Sequence, residues 1–514
     1  MITAMIAIEK KIYRLKNGGK WIVRRPLDSE TSKSLKFVYA TLALFVLLRI
    51  VMMFSFPLLD PTEARYAEIA RKMLETGDWI TPQFDYGVPF WGKPPLHTWL
   101  SAAGMAVFGP GQFGARVFIF GAALGVLGLT YEFARHQIGR LSAAVTAAVL
   151  MGSVLFFGAS AFVMTDMAMT LGTTISMVSF FKCISHQKES TFWGNLFFAG
   201  LAVGLLAKGP VALVLTLLPI GLWVLTGRRW RALGRLSWVS GVLLLLVLTV
   251  PWYLAAELKT PGFLRYFLIG EHFERFVVSG WQGDLYGSGH ARAKGTIWLF
   301  WLVAFLPWSF FAATLLPRFR QIMASVNSDT RGLRSYLLFW TISPMIMFTP
   351  AANILPAYVL PGFPAAAMLL VVFWSDAWGA PSIRVKTWFA ASVTAVMLLF
   401  AAISAVALIS PVTVNIPSQQ ALIAQLNKMS PGTTLTLWKD RSYSAEFYSG
   451  GNTRVTTDPE LSVLNANNIR DAVAVQPRYL PQVTEITESG RFENLGRFGR
   501  YDLFIEHAES AGEP

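Results

Sequence analysis

The sequence predicts a mainly α-helical protein that crosses a membrane many times and carries a small α/β domain near its C-terminal end. Three observations lead there. Of 514 residues, 54% are hydrophobic and 14% charged, and the mean hydropathy is +0.47, which excludes an ordinary soluble globular protein. Apolar runs of roughly 15 to 24 residues recur along the chain, long enough to cross a bilayer. The cations gather between alternate runs, the pattern of loops held on the cytoplasmic side. A net charge of +14, from 44 Lys+Arg against 30 Asp+Glu, therefore reflects orientation and asks for no nucleic-acid partner. The single cysteine, Cys183, sits in an apolar run and excludes a disulfide framework or a cysteine-based metal site.

Taken in order, Lys10, Lys11, Arg14, Lys16, Lys20, Arg24 and Arg25 precede an apolar run from Phe37 to Leu59. So long a charged lead does not fit a cleavable signal peptide, so residues 1–35 are expected to be a basic cytoplasmic segment and the run a first span. Further spans fall at 115–134, 142–162, 166–183, 193–207, 210–226, 237–256, 296–316, 336–350, 354–374 and 387–410. The count is eleven, in an expected range of about eleven to thirteen. Arg135 and Arg140, then Lys188, then Arg228, Arg229, Arg231 and Arg235, then Arg318, Arg320, Arg331 and Arg334, then Arg384 and Lys386 fall on alternate loops. This alternation requires that 96–109, short and opened by Pro94 and Pro95, lies at the interface without crossing. A twelve-span arrangement would put the basic 135–140 loop outside.

Residues 36–410 then form the membrane domain, with outer loops 60–114 and 257–295, and residues 411–514 form an outer, periplasmic domain. An amphipathic helix pattern at 417–429 and alternating runs at 433–439, 471–476 and 500–506 give that domain its α/β character.

The first outer loop concentrates polar chemistry. Asp60 precedes a helical pattern that starts at Pro61 and stands at its N-cap position, and Glu63, Arg65, Tyr66 and Glu68 fall in the first two turns. A capped interfacial helix accounts for these residues taken alone. Together with Lys93, however, they supply a base or orienting acid beside cations that hold a phosphate. Asp166 and Lys208 sit at the outer ends of apolar helices, on the same side as this loop. Lys208 can snorkel to the interface, whereas the shorter Asp166 cannot reach as far, which favours a site role for it.

The second outer loop breaks the charge rule with Lys259, Arg265, Arg275, Arg292 and Lys294. Its Glu271, Glu274 and Arg275 stand at helical spacings, with His272 beside them, and turn formers follow at 280–289. A basic outer loop near headgroups suits an anionic lipid-linked ligand. Glu271 with His272 also form a candidate for a divalent metal, two ligands short of a full set. Tyr358, in Asn353-Ile-Leu-Pro-Ala-Tyr358, lies near the outer surface at a proline-kinked helix entry, where its hydroxyl can meet a phosphate.

These residues carry a resemblance. Thr62-Glu-Ala-Arg-Tyr-Ala-Glu68, Gly77-Asp-Trp-Ile-Thr-Pro82, Lys93-Pro-Pro95, Thr165-Asp166-Met167, Lys208-Gly-Pro210, Glu271-His272 with Arg275-Phe276, Pro307-Trp308 and Leu355-Pro-Ala-Tyr358 follow one another in order over roughly 35–375. The chain resembles the membrane glycosyltransferases that use polyprenyl-phosphate sugars, the superfamily of protein O-mannosyltransferases and lipid A aminoarabinose transferases. The resemblance implies a GT-C type fold. It matches Arg65, Tyr66, Lys93, Lys208, Arg275 and Tyr358 to donor phosphate-binding positions, with Asp166 beside them. Two departures stand out: Thr62 replaces the family's leading acid, leaving Glu63 in register and Asp60 two residues earlier. Gly92 and Ile354 stand where aminoarabinose transferases tend to carry Glu and Lys.

The implied function is inverting transfer of a sugar from a polyprenyl phosphate such as undecaprenyl phosphate, at the periplasmic face of a cell inner membrane. Asp60, Glu63 and Asp166 are the candidate catalytic residues. Lipid A or core lipopolysaccharide is the expected acceptor, with protein O-glycosylation as the alternative. A polyprenyl-lipid or solute transporter is the reading from another class, and it would place ionisable groups or broken helices near the bilayer midplane. The midspan positions here are almost purely apolar and the charges gather at one face.

Overall fold

The computed structural model describes residues 16–17, 20–21, 29–185, 189–287, 290–379, 383–409, 416–456, 470–483 and 490–507. Of the cations used for orientation, Lys10, Lys11, Arg14, Arg24, Arg25 and Lys188 lie outside the described residues, as do the side chains of Lys16, Lys20, Arg384 and Lys386.

Helix α1 (Ser29–Ser55) is followed by the first loop, which holds α2 (Thr62–Thr76), a small hairpin of β1 (Gln83–Asp85) and β2 (Val88–Pro89), and α3 (Leu96–Phe108). Then come α4 (Gln112–Ile138), α5 (Arg140–Met151), α6 (Val154–Ala159), α7 (Thr165–Ser185), α8 (Ser190–Lys208), α9 (Val211–Gly227) and α10 (Trp238–Lys259). The second loop contains a helical stretch over 263–277 whose middle, Tyr266–Glu274, is wound as a π-helix. Beyond it are α11 (Thr296–Ala304), α12 (Trp308–Ala313), α13 (Phe319–Ser328), α14 (Leu333–Phe348), a 3-10 turn at Pro356–Gly362 that runs into α15 (Phe363–Trp378), and α16 (Ile383–Ile409).

Among the described residues seven helices are long and apolar enough to cross a membrane, and eight if the α11 and α12–α13 pair, bent by 109°, counts as one span. Helices α3, α5, α9 and α14 are apolar but shorter. Two predicted continuous spans are therefore corrected. Span 142–162 breaks after Met151, where Gly152 brings the backbone against Trp308; a Cβ there would lie 3.1 Å from its ring. Span 296–316 breaks before Trp308, because Pro307 has no N–H to continue the ladder. Helix α3 has the short length expected of the interfacial segment. Asp60 does not cap α2: Pro61 holds the N-cap position and no side chain bonds to the first turn.

Inside the membrane domain, small residues bring α7 and α8 backbone to backbone. A Cβ on Gly172 would stand 2.6 Å from the amide nitrogen of Gly204 and 2.7 Å from the carbonyl oxygen of Gly200, so no larger residue fits this seam. Such contact is the main source of helix association in lipid, where apolar surface gains nothing from burial. It has a direct consequence for the site, since α7 begins at Thr165 and Asp166 while the antiparallel α8 ends at Lys208.

The C-terminal domain comprises α17 (Gln420–Met429), β3 (Leu435–Trp438), α18 (Tyr443–Tyr448), β4 (Thr453–Thr456), β5 (Ala472–Val475), β6 (Phe492–Phe498) and β7 (Tyr501–Glu506). The sheet order is β4-β3-β5-β7-β6, with β3 parallel to both β4 and β5, and β7 antiparallel to β5 and β6. Strands β3, β5 and β7 are buried on both faces; β4 and β6, which the sequence pattern did not reveal, are mostly polar edge strands.

Candidate active site

Four cations converge where the two loops meet the ends of α7 and α8. Lys208 Nζ lies 2.5 Å from Asp166 Oδ1 and 4.3 Å from the centroid of the Tyr358 ring. Each member of the ion pair also complements its helix, Asp166 in the first turn of α7 and Lys208 in the last turn of α8. The glycine after the lysine is required: Gly209 has φ +90°, and a Cβ there would stand 2.5 Å from Phe267 and 3.0 Å from His272 Nε2. Its absence lets the loop helix 263–277 close over the end of α8.

That helix carries the second half of the cluster. Glu271 is buried; its Oε2 lies 2.6 Å from Lys93 Nζ and its Oε1 lies 3.0 Å from Arg275 Nη1. Arg275 Nη1 also reaches Asp284 Oδ2 at 3.1 Å, and the Tyr266 hydroxyl donates to Glu271 at 3.3 Å. Burial alone would raise the Glu271 pKa, but Lys93 and Arg275 together outweigh it and hold the carboxyl below its ordinary value of 4.5. Arg65 enters from α2, donates to the Tyr286 carbonyl, and lies over the rings of Tyr66 at 5.4 Å and Tyr443 at 5.9 Å. Tyr66 itself is buried, edge-on to Phe90 and His97.

His272, the neighbour of Glu271, turns away from it, with Nδ1 2.7 Å from the Phe267 carbonyl and Nε2 3.3 Å from that of Lys208. The two side chains thus engage different partners, and no group of three or more His, Cys, Asp or Glu side chains that could hold a metal gathers among the described residues.

The remaining two candidate acids are occupied elsewhere. Glu63 is fully buried and pairs with Arg116 through two 2.8 Å hydrogen bonds, and it also accepts from the backbone of Leu59 and Val163. Asp60 accepts from Ser442 Oγ at 2.7 Å, Ser444 Oγ at 2.5 Å and the Ser444 amide at 2.9 Å, so it fastens the first loop to the C-terminal domain. Burial raises its pKa despite these bonds.

Sequence reasoning missed Arg116, Asp284, Asn353 and the two serines as partners. Arg116 had a usable signal, an ionisable residue inside an apolar run. Asn353, quoted only as the start of a motif, joins the loops: its amide donates to the carbonyls of Arg275 at 2.6 Å and Val278 at 2.7 Å. Asp284, Ser442 and Ser444 carry no local signal, because only the fold brings them to their partners.

The fold and the site define a multi-pass, mainly helical membrane protein with a cationic loop cluster at one face. Comparison with known proteins narrows this. Residues 34–267 match the family described as dolichyl-phosphate-mannose-protein mannosyltransferase. An undecaprenyl phosphate-alpha-4-amino-4-deoxy-L-arabinose arabinosyl transferase of Edwardsiella ictaluri is 34% identical over 344 residues, 64% of this chain and 57% of the relative. One from Pseudomonas fluorescens is 32% identical over 375 residues, 69% of this chain and 62% of the relative. The chain thus spans roughly three fifths of the length of the curated relatives it matches. In fold it is similar to the crystal structure of ArnT from Cupriavidus metallidurans bound to undecaprenyl phosphate, with a TM-score of 0.73 at 20% identity over 93% of this chain and 99% of that one. The chain is thus similar to membrane glycosyltransferases whose names specify polyprenyl-phosphate sugars, in sequence over part of its length and in fold over most of it.

Proposed function

We propose that the protein transfers a sugar from a polyprenyl phosphate, of the undecaprenyl phosphate kind, to a lipid A or core lipopolysaccharide acceptor at the periplasmic face of a cell inner membrane. The observation that carries this reading is the convergence of Lys93, Lys208, Arg275 and Arg65 around three carboxylates among the described residues, Glu271, Asp166 and Asp284. A lipid phosphate entering this cluster meets cations that are already oriented and partly desolvated, which is the condition under which they lower the barrier most.

In the proposed step an oxygen of the acceptor attacks the anomeric carbon, the bond from that carbon to the lipid phosphate oxygen breaks, and its electron pair leaves with the phosphate. Attack from the face opposite the leaving group inverts the centre. Lys93, Lys208 and Arg275 neutralise the departing phosphate while Asp166 and Glu271 hold their lysines and arginine in place. Asp60 and Glu63 are both engaged in buried or half-buried bonds, which favours an acceptor oxygen that needs no deprotonation, such as a phosphate. Exposed Leu268, Ile269 and Phe273 on the loop helix give the polyprenyl tail an apolar surface beside the cluster.

Mass spectrometry of lipid A, core and glycoproteins from cells with and without the gene tests this. Loss of a pentose or hexose increment from lipid A or core, restored by the wild-type gene and not by Lys93→Ala, is the expected result. A change confined to glycoproteins would transfer the assignment to the protein acceptors named for the matching mannosyltransferase family. Unchanged glycans throughout would end the transferase reading.

A further inference from the structure

A second cationic feature lies outside the donor cluster. A cleft of about 630 Å³ opens between the C-terminal domain and the start of α2, within the roughly 300–1,000 Å³ that small-molecule sites occupy. Its charged lining is Arg441, Arg478, Arg497 and Arg500 against Asp60 and Asp440.

The sheet topology explains why four arginines meet here. Parallel strands β3 and β5 end at Trp438 and Val475, so Arg441 and Arg478 follow their carboxyl ends on one edge. Antiparallel β7 starts at that same edge, and the end of β6 and the turn after it place Arg497 and Arg500 beside them. The space outside the carboxyl ends of parallel strands is where open α/β sheets take their ligands. Arg441 is matched by Glu446 and Asp85, whereas the other three arginines are incompletely neutralised. Arg478 pairs with Asp440 at 2.5 Å with its side chain 61% exposed, and Arg497 pairs with Asp502 at 3.2 Å. Arg500 makes no hydrogen bond or ion pair among the described residues, and its charge is felt at Asp60. Several guanidinium forks facing one space suit phosphate oxygens better than any neutral sugar.

The cleft also borders the donor cluster. Tyr443 has Arg65 of that cluster 5.9 Å from its ring centroid and Arg441 of the cleft 5.1 Å from it. One aromatic ring is thus shared by the two cationic regions.

We propose that this cleft holds a phosphate of the acceptor: a phosphorylated saccharide headgroup is anchored by one phosphate at Arg478 and Arg500 while another of its oxygens reaches the donor sugar. The inference rests on the lipid-linked acceptor proposed above. It is a binding role with no chemistry of its own, so it is testable without turnover.

The full-length protein in nanodiscs of neutral lipid is titrated with bisphosphorylated lipid A, with the same lipid A after phosphatase treatment, and with inorganic phosphate as competitor. Wild type and Arg478→Ala/Arg500→Ala are compared; both side chains are exposed, so the fold is not at risk. The expected result is tight binding of the phosphorylated lipid, loss of about tenfold or more in the double variant, and a similar loss on dephosphorylation. Competition by millimolar inorganic phosphate would identify the phosphate group alone as the ligand; no competition would assign the affinity to the whole headgroup. Equal binding by wild type and variant, or by both lipid forms, would overturn the proposal. Intact phosphate-dependent binding without any transfer would instead count against the transferase reading and leave the cleft assigned.

Discussion

Helix α2 has two charged regions around it, and they are built differently. At its start and along one side, Glu63 with Arg116, Glu68 with Arg71, and Lys72 with Glu446 form buried pairs in which every partner is matched. On the loop-helix side Arg65 joins Lys93, Lys208 and Arg275, where cations outnumber the acids that position them. Paired buried charges keep a domain seated, and removing one partner leaves an uncompensated charge. A surplus of half-buried cations stores an attraction for an anion that arrives later. The same residue types therefore mark structure in one place and, on the proposed reading, anion binding in the other, and the balance of cations to acids is what distinguishes them.

Five substitutions or conditions probe the contrast. Glu63→Gln strands Arg116 in a buried site and is expected to cost about 3–5 kcal/mol of stability; thermal unfolding in detergent would show it, and a variant of native stability but no turnover would make Glu63 catalytic instead. Lys93→Ala should lower transfer about 100- to 1,000-fold, with a smaller loss of stability than Glu63→Gln because Arg275 still pairs with Glu271. Asp60→Asn loses part of a three-bond anchor, about 1–3 kcal/mol of docking, which limited proteolysis of the C-terminal domain would report. Its transfer rate should stay within roughly tenfold, whereas loss of a general base costs about 100- to 10,000-fold.

The pH response is smaller. A glutamate whose pKa is depressed by folding stabilises the fold above its unfolded value and loses that contribution as pH falls through the lower, folded value. The Glu271 cluster should thus be complete above about pH 4.5 and come apart only below it, and Glu271→Gln should remove this acid limb from a stability profile. Last, Tyr358→Phe should change transfer less than about tenfold, since its ring lies against Lys208 and a phenylalanine keeps that contact. A larger loss, measured as kcat/KM, would show that the hydroxyl meets the phosphate.

Much of this was legible from sequence because membrane chemistry is severe. A charge at the end of an apolar run stands out, so Asp166 and Lys208 were legible as outer helix-end residues on the side of the first loop, and Glu271 and Arg275 by their helical spacing; that the first two pair is known only from the fold. The long spans were visible for the same reason. The breaks at Gly152 and Pro307 were not, because a run of apolar residues reads as continuous whether or not the backbone turns inside it. The roles of Asp60 and Glu63 were hidden more deeply. Their partners, Ser442, Ser444 and Arg116, lie tens to hundreds of positions away, and nothing local separates a carboxylate that anchors a domain from one that takes a proton.

The glycine seam between α7 and α8 acts as a fixed ruler. Its two helices touch through backbone, with no flexible side chain to compress or rearrange, so they tilt together when the surrounding bilayer thins or thickens. The separation of Asp166 and Lys208 is carried by that seam. The distance between the two ends should therefore hold across lipids of different chain length.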